Sequence, residues 1–348
     1  MIELSRKIID LIENARKFVV KTTNTTMIFA YYSVGKMIVD ELQSGSEKAE
    51  YGTKLLENVS SDLSQKIGRG FSVDNLENMR KFYLVYMNQI QISENASRKL
   101  ENKLISENHS RKLPTQFLSW SHYVFLSRID NEAERKFYEI EALQNNWGLK
   151  EIKRQFNTGL YERLALSRDK NKILELSQEG HVIQNSIDVI KDPFVLEFLA
   201  IEEKAEYSET ELETAIINQI EKFMLELGKG FFFGGRQVRF TFDEEHYRVD
   251  LVFYNRILKC FVLIDLKIGK LTHQDLGQMQ MYVNYFDRFE KQELENPTIG
   301  IILCKLKNQS MVEITLPAGN KQIFASKYQT IIPDKKEFIK LLRQYDEE

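Results

Sequence analysis

Two consecutive apolar runs, "YRVDLVFY" at 247–254 and "CFVLIDLKI" at 260–268, constrain this 348-residue chain more than any other feature. Each is rich in β-branched and aromatic residues and short enough to be a buried strand, and each carries one aspartate, Asp250 and Asp265. Charge in a buried strand is costly unless it is paired or metal-bound. Lys267 follows Asp265 by two residues, and residues two apart on a strand share a face, so both side chains project together. Other acid-x-lysine triplets, such as Glu134-x-Lys136 and Glu151-x-Lys153, lie in helical, polar settings where they read as solvated faces.

If residues 255–258 form a four-residue hairpin loop, Tyr254 opposes Lys259 and Asp250 opposes Leu263. Asp250 and Asp265 then become diagonal neighbours on one face, with Cα atoms roughly 7–8 Å apart. Two such carboxylates suit Mg²⁺ or Mn²⁺, hard cations that need only one or two of them beside water and phosphate oxygens. A neighbouring lysine can orient an attacking water and offset charge building on phosphorus. Metal, water and phosphate together point to phosphodiester hydrolysis. Close carboxylates should also raise one another's proton affinity, making activity pH-dependent. The competing reading is a pair of structural aspartates satisfied by backbone or arginine.

The surrounding pattern divides the chain. Residues 1–170 place Leu, Ile, Phe and Tyr at three- and four-residue steps, which predicts helices. Ser72 is a candidate N-cap after Gly68-Arg69-Gly70; the segment reads first as an ordinary helical hairpin with solvated charges and second as a DNA-binding helix-turn-helix. "SENASRKL" at 93–100 and "SENHSRKL" at 106–113 form a near-duplication too short for a repeat fold. A connector is expected at 171–195, and from 196 to 348 the pattern becomes α/β. One long helix at about 209–227 precedes strands at 236–242, 246–254, 258–267, 299–304 and 322–328, with helices near 274–289 and 335–344. That order describes a mixed sheet. On this reading Gln278 and Tyr282 share a helix face, and Glu213 sits near a helix start, where the dipole favours a carboxylate.

Composition excludes several classes. A net charge of −3 gives no global basic signature, so any nucleic-acid contact is local. The five histidines show no metal-ligand spacing, and Cys260 and Cys304 read as small buried hydrophobes. No run is apolar enough to span a membrane and no signal peptide is recognisable, so a cytoplasmic location is expected.

Glu213, Asp250, Asp265-x-Lys267 and Gln278-x-x-x-Tyr282, in that order, resemble the PD-(D/E)XK nuclease superfamily. The longer blocks "LELGKGFFFGGRQVRF", "GQMQMYVNYFD" and "NPTIGIILCKLKN", with "LSWSHY" and "FYEIEALQNNWGLKEIKRQ" in the first half, are similar to the bacterial YhcG-type family, which joins an N-terminal domain of unknown function to such a nuclease domain. The resemblance implies a restriction-endonuclease-like α/β domain with Asp250, Asp265 and Glu213 as metal ligands and Lys267 as catalytic lysine. Gln278 and Tyr282 would line the site or touch the substrate backbone. It implies a Mg²⁺- or Mn²⁺-dependent deoxyribonuclease acting on DNA, and leaves open duplex, branched or single-stranded DNA against RNA, and recombination, repair or defence as the setting. The first domain would bind DNA, a protein partner or a second copy. Two departures stand out: Val249, not proline, precedes Asp250, and Asp265 stands where the family more often has glutamate. A non-catalytic nucleic-acid-binding or assembly protein on the same fold is the alternative.

Overall fold

The computed structural model describes residues 2–44, 49–87, 117–166, 170–201 and 207–346. The near-duplication at 93–113 lies outside them. The chain forms two compact units, 1–153 and 154–348. The sequence expectation drew its first boundary near 170; the contacts divide the chain earlier, so that Arg154 and Arg163 belong to the second unit.

The first unit is helical: α1 (Ile2–Ser44), α2 (Ala49–Lys66), α3 (Val73–Tyr86), α4 (Trp120–Leu126) and α5 (Glu132–Gln144), followed by α6 (Leu149–Asn157), which runs into the division. Ser72 caps α3, its side chain accepting from the Asn75 amide at 3.3 Å, and Gly68 and Gly70 both adopt left-handed φ in the turn before it. Ile38, Leu56, Leu76 and Met79 form a core between α1, α2 and α3. Gly35 permits the close crossing of α1 and α3, because a Cβ there would lie 2.2 Å from the Met79 carbonyl oxygen.

The second unit contains α7 (Leu160–Leu166), α8 (Lys170–Glu179), β1 (Phe194–Val195), α9 (Glu209–Asn218), α10 (Ile220–Leu227), β2 (Phe231–Phe242), β3 (Glu245–Asn255), β4 (Cys260–Lys270), α11 (His273–Tyr285), β5 (Ile299–Leu306), α12 (Gln309–Thr315), β6 (Ile323–Gln329) and α13 (Lys335–Asp346). Its six strands form one sheet in the order β1-β6-β5-β4-β3-β2. The first four are mutually parallel and β4, β3 and β2 are antiparallel, so the expected mixed α/β sheet is present.

The expected long helix is broken at Gln219, whose φ of −123° leaves the helical region. Leu212, Ile216, Phe223 and Leu227 keep helical spacing across the break and enter the same core, which is why periodicity alone did not reveal it. β2 begins earlier than expected, since Gly234 accommodates a bulge in place of a chain break.

Both sheet faces are buried. α9 and α10 pack with Leu251, Phe253, Val262, Ile264 and Leu266; α11 packs with Val252, Leu263, Ile302 and Cys304 through Leu276, Met279 and Tyr282. A Cβ on Gly300 would lie 2.5 Å from Met279 Sδ, so the glycine in β5 lets α11 approach the sheet. Cys260 and Cys304 are buried free thiols, pushed up to about 12 and about 11 by burial first and nearby carboxylates second.

Candidate active site

The β3–β4 turn sets the geometry. Asn255 Oδ1 accepts from the Ile257 and Leu258 amides at 3.0 and 3.1 Å, while its Nδ2 donates to the Lys229 carbonyl. This fixes a four-residue loop at 256–259, one position later than expected, and pairs Asn255 with Cys260 and Leu251 with Ile264. The next step brings Asp250 level with Asp265 itself, not diagonal to it through Leu263 as the sequence arithmetic had it. The shift is two residues in register sum, so the shared face survives.

The regular ladder stops there. Asp250 Oδ2 takes the Leu266 amide at 2.8 Å, filling a strand-pairing position with a side chain. Asp265 is 3% exposed, on the face that β4 turns toward α11, and its Oδ2 lies 2.8 Å from Lys267 Nζ. Burial, then the charge of Asp250, pushes the Asp265 carboxyl up to about 7. Burial works against the Lys267 charge, but Asp265, Glu209 and Asp250 outweigh it and hold the ammonium above the ordinary lysine value. Glu209 Oε2, from the first turn of α9, is 3.6 Å from Lys267 Nζ.

Glu213 is buried on α9 and joins the aspartates at one remove. Gln237 Nε2 donates to Glu213 Oε2 at 2.6 Å and to Asp250 Oδ1 at 2.9 Å, tying α9 to β3. Gln237 holds a left-handed φ of +47°, which few side chains adopt without compensation. With Glu209, it is a residue that sequence reasoning missed. Its signal is weak: it lies inside the block "GGRQVRF", but only the β2–β3 register, with Arg236 opposite Leu251 and Val238 opposite Val249, sets it beside Asp250.

On α11, Gln278 Nε2 donates to the Tyr282 hydroxyl, as their four-residue spacing allows. Tyr282 is buried, and burial first and Asp265 second push its hydroxyl up to about 12, which sets that hydroxyl in the field of the acidic pair.

Asp250 and Asp265 fit a hard divalent cation. Both offer carboxylate oxygens from one row of the sheet, and the buried Asp265 Oδ2 has Lys267 Nζ at 2.8 Å as its charged partner. Glu213 Oε1 accepts no hydrogen bond and has Arg236 Nε at 3.5 Å. Among the described residues, no three His, Cys, Asp or Glu side chains gather closely enough to hold a metal together, so the pair, with Glu213 held apart by Gln237, is the available donor set.

Family comparison bears on the same residues. A model of the YhcG PDDEXK nuclease domain matches residues 187–343, and a DUF1016 N-terminal domain model matches 7–163. The Escherichia coli (strain K12) protein named "Putative nuclease YhcG" is 39% identical over 343 residues, spanning 94% of this chain and 90% of that protein. The chain belongs to the YhcG family of PDDEXK nuclease-domain proteins. Its domain order is therefore that of the family along most of its length. Two solved structures, a repair endonuclease from Pyrococcus abyssi and an EndoMS–dsDNA2 complex, align with TM-scores of 0.26 at 17% and 16% identity. They cover 37% and 38% of this chain, which spans about half of each of them (50% and 51%). Among the described residues no helix is long and apolar enough to cross a membrane.

Proposed function

We propose that this protein is a divalent-metal-dependent nuclease that hydrolyses phosphodiester bonds in DNA, with Asp250, Asp265 and Lys267 as its catalytic core. The observation that carries this reading is the meeting of those three side chains where the β3–β4 ladder ends. Asp250 and Asp265 would hold Mg²⁺ or Mn²⁺. When bound, such an ion supplies Lewis-acid polarisation of a phosphate oxygen and a more acidic water.

The chain's own residues do the rest. Asp250 is anchored through Oδ2 by the Leu266 amide and through Oδ1 by Gln237, so its carboxylate is held without side-chain reorganisation. Lys267 stays charged beside three carboxylates, so it serves as a hydrogen-bond donor that orients the attacking water and stabilises charge on the phosphate, not as a base. Glu213 backs Asp250 through the Gln237 amide, and Tyr282 with Gln278 lines the α11 side of the site. The helical first domain would hold DNA, a protein partner or a second copy.

The test is cleavage of labelled linear duplex, single strand, four-way junction and structured RNA, with Mg²⁺, Mn²⁺ or EDTA. Asp250→Asn, Asp265→Asn and Lys267→Ala are each expected to lose about 10²-fold or more in cleavage rate with melting curves close to wild type. Cutting that survives EDTA, or full activity in all three variants, overturns the assignment. Salt-sensitive binding without any cutting favours the non-catalytic alternative.

A further inference from the structure

The first half of α1 carries an apolar face that nothing in the proposed chemistry uses. From residue 3 to 23 every described side chain of α1 is exposed, and these include Leu4, Ile8, Ile9, Leu11, Ile12, Phe18, Val19 and Val20. Leu11 and Phe18 are 69% and 70% exposed. Singly exposed leucines are ordinary, but eight large apolar residues within 17 positions of one helix are not.

Their spacing is specific. Leu4, Ile8, Leu11, Ala15 and Phe18 follow each other by four, three, four and three residues, the seam pattern of helices that pack along their length, and Ile12 and Val19 widen it on one side. The stripe does not end at Phe18. Carried on by sevens from Leu4, Leu11 and Phe18 it reaches Thr25, Tyr32 and Val39, all buried within the first unit, where α1 packs beside α3. One continuous face of α1 is thus covered from Thr25 onward and bare before it.

Charge narrows the occupant. Between Glu3 and Val20 the sequence holds three acidic residues (Glu3, Asp10, Glu13) and four basic ones (Arg6, Lys7, Arg16, Lys17), a near-balance that suits neither a phosphate backbone nor an anionic lipid surface. A surface that is apolar along a seam and mixed in charge elsewhere is self-complementary. At roughly 60–120 Å² per large apolar side chain and a little over half of that exposed, the six large side chains of the stripe offer about 300 Å². Two copies would bury about twice this in apolar area alone, and the flanking side chains bring the total toward the scale of a specific interface.

We infer that residues 4–20 of α1 form a self-association seam, on which the same segment of a second copy of this chain packs helix against helix.

The test uses the full-length protein. Sedimentation velocity across about 1–100 μM is expected to show a species of at least twice the chain mass in wild type. Leu11→Glu with Phe18→Glu should raise its dissociation constant tenfold or more, with an unchanged circular dichroism spectrum. Because both substituted side chains are exposed, folding is not at risk. Independently, Ala15→Cys under mild oxidation should give a covalent dimer on a non-reducing gel, while Glu13→Cys, on the other side of the helix, should not; Cys260 and Cys304 are buried and stay silent. A wild-type monomer at every concentration overturns the proposal, as does equal cross-linking at the two positions. Monomeric protein that sediments with phosphatidylglycerol vesicles would overturn it in favour of a membrane surface.

Discussion

At the scale of single residues, the proposed site depends on side chains that occupy backbone roles. Asp250 replaces a strand partner for Leu266, and Gln237 spends a left-handed backbone to present one amide nitrogen to two carboxylates. That separates its structural cost from its use. Gln237→Gly relieves a conformation worth about 1 kcal/mol or more but adds backbone entropy of similar size to the unfolded chain, so melting should move little. Cleavage should fall by about tenfold, because Glu213 and Asp250 lose their shared donor and repel one another. Differential scanning calorimetry beside initial rates checks both halves. A variant that melts like wild type and cuts like wild type would remove Gln237 from the site. The aspartates and Lys267 were legible because strand periodicity of two is strict. Gln237 was not, since its role exists only once β2 is in register with β3.

At the scale of elements, a buried ion cluster ties α7 and α10 together behind the sheet. Arg163 Nη1 donates to Glu226 Oε1 at 2.6 Å, Arg154 Nη2 to Oε2 at 3.3 Å, and Lys191 to the Glu226 carbonyl. Burial alone would raise the Glu226 carboxyl, but Arg163, Lys191 and Arg154 overcome it and hold it down at about 2. A carboxyl whose folded value is depressed contributes stability above its unfolded value, near 4.5, and loses that contribution as pH falls toward about 2. The contribution is on the order of 3 kcal/mol. Glu226→Gln is therefore expected to melt well below wild type at pH 7, with the gap closing steadily from about pH 4.5 downward. A gap independent of pH would mean that packing, not charge, supports the contact. No sequence pattern announces this pair, 63 residues apart. The same holds for the break at Gln219, which apolar spacing runs straight through.

At the scale of the molecule, the net charge of −3 means that the proposed DNA substrate would be held by a local surface, not by the overall field. If roughly four phosphates are neutralised, the logarithm of the binding constant should fall with the logarithm of salt at a slope of about −3.6. Fluorescence anisotropy in EDTA, from 50 to 200 mM salt, measures it. Lys267→Ala should change the slope by about one unit or less, since that side chain is committed to Asp265 and Glu209. A slope near zero would argue against a phosphate-backbone contact and for a protein partner.

By itself the sequence determined the class of fold and the chemical identity of the proposed core. A helical half followed by an α/β half is written in the change of period from 3.6 to 2, and an acid in each of two buried strands is visible without coordinates because burying charge is costly. Only the tertiary structure decided which atoms face one another. The Asn255 turn put Asp250 level with Asp265, the bulge at Gly234 set the β2–β3 register, and α9 came close enough for Gln237 to bridge to Glu213. Such contacts follow from register and from helix placement on the sheet. Those are set by the sum of packing over two cores and a few side-chain hydrogen bonds, and no local window of sequence contains that sum.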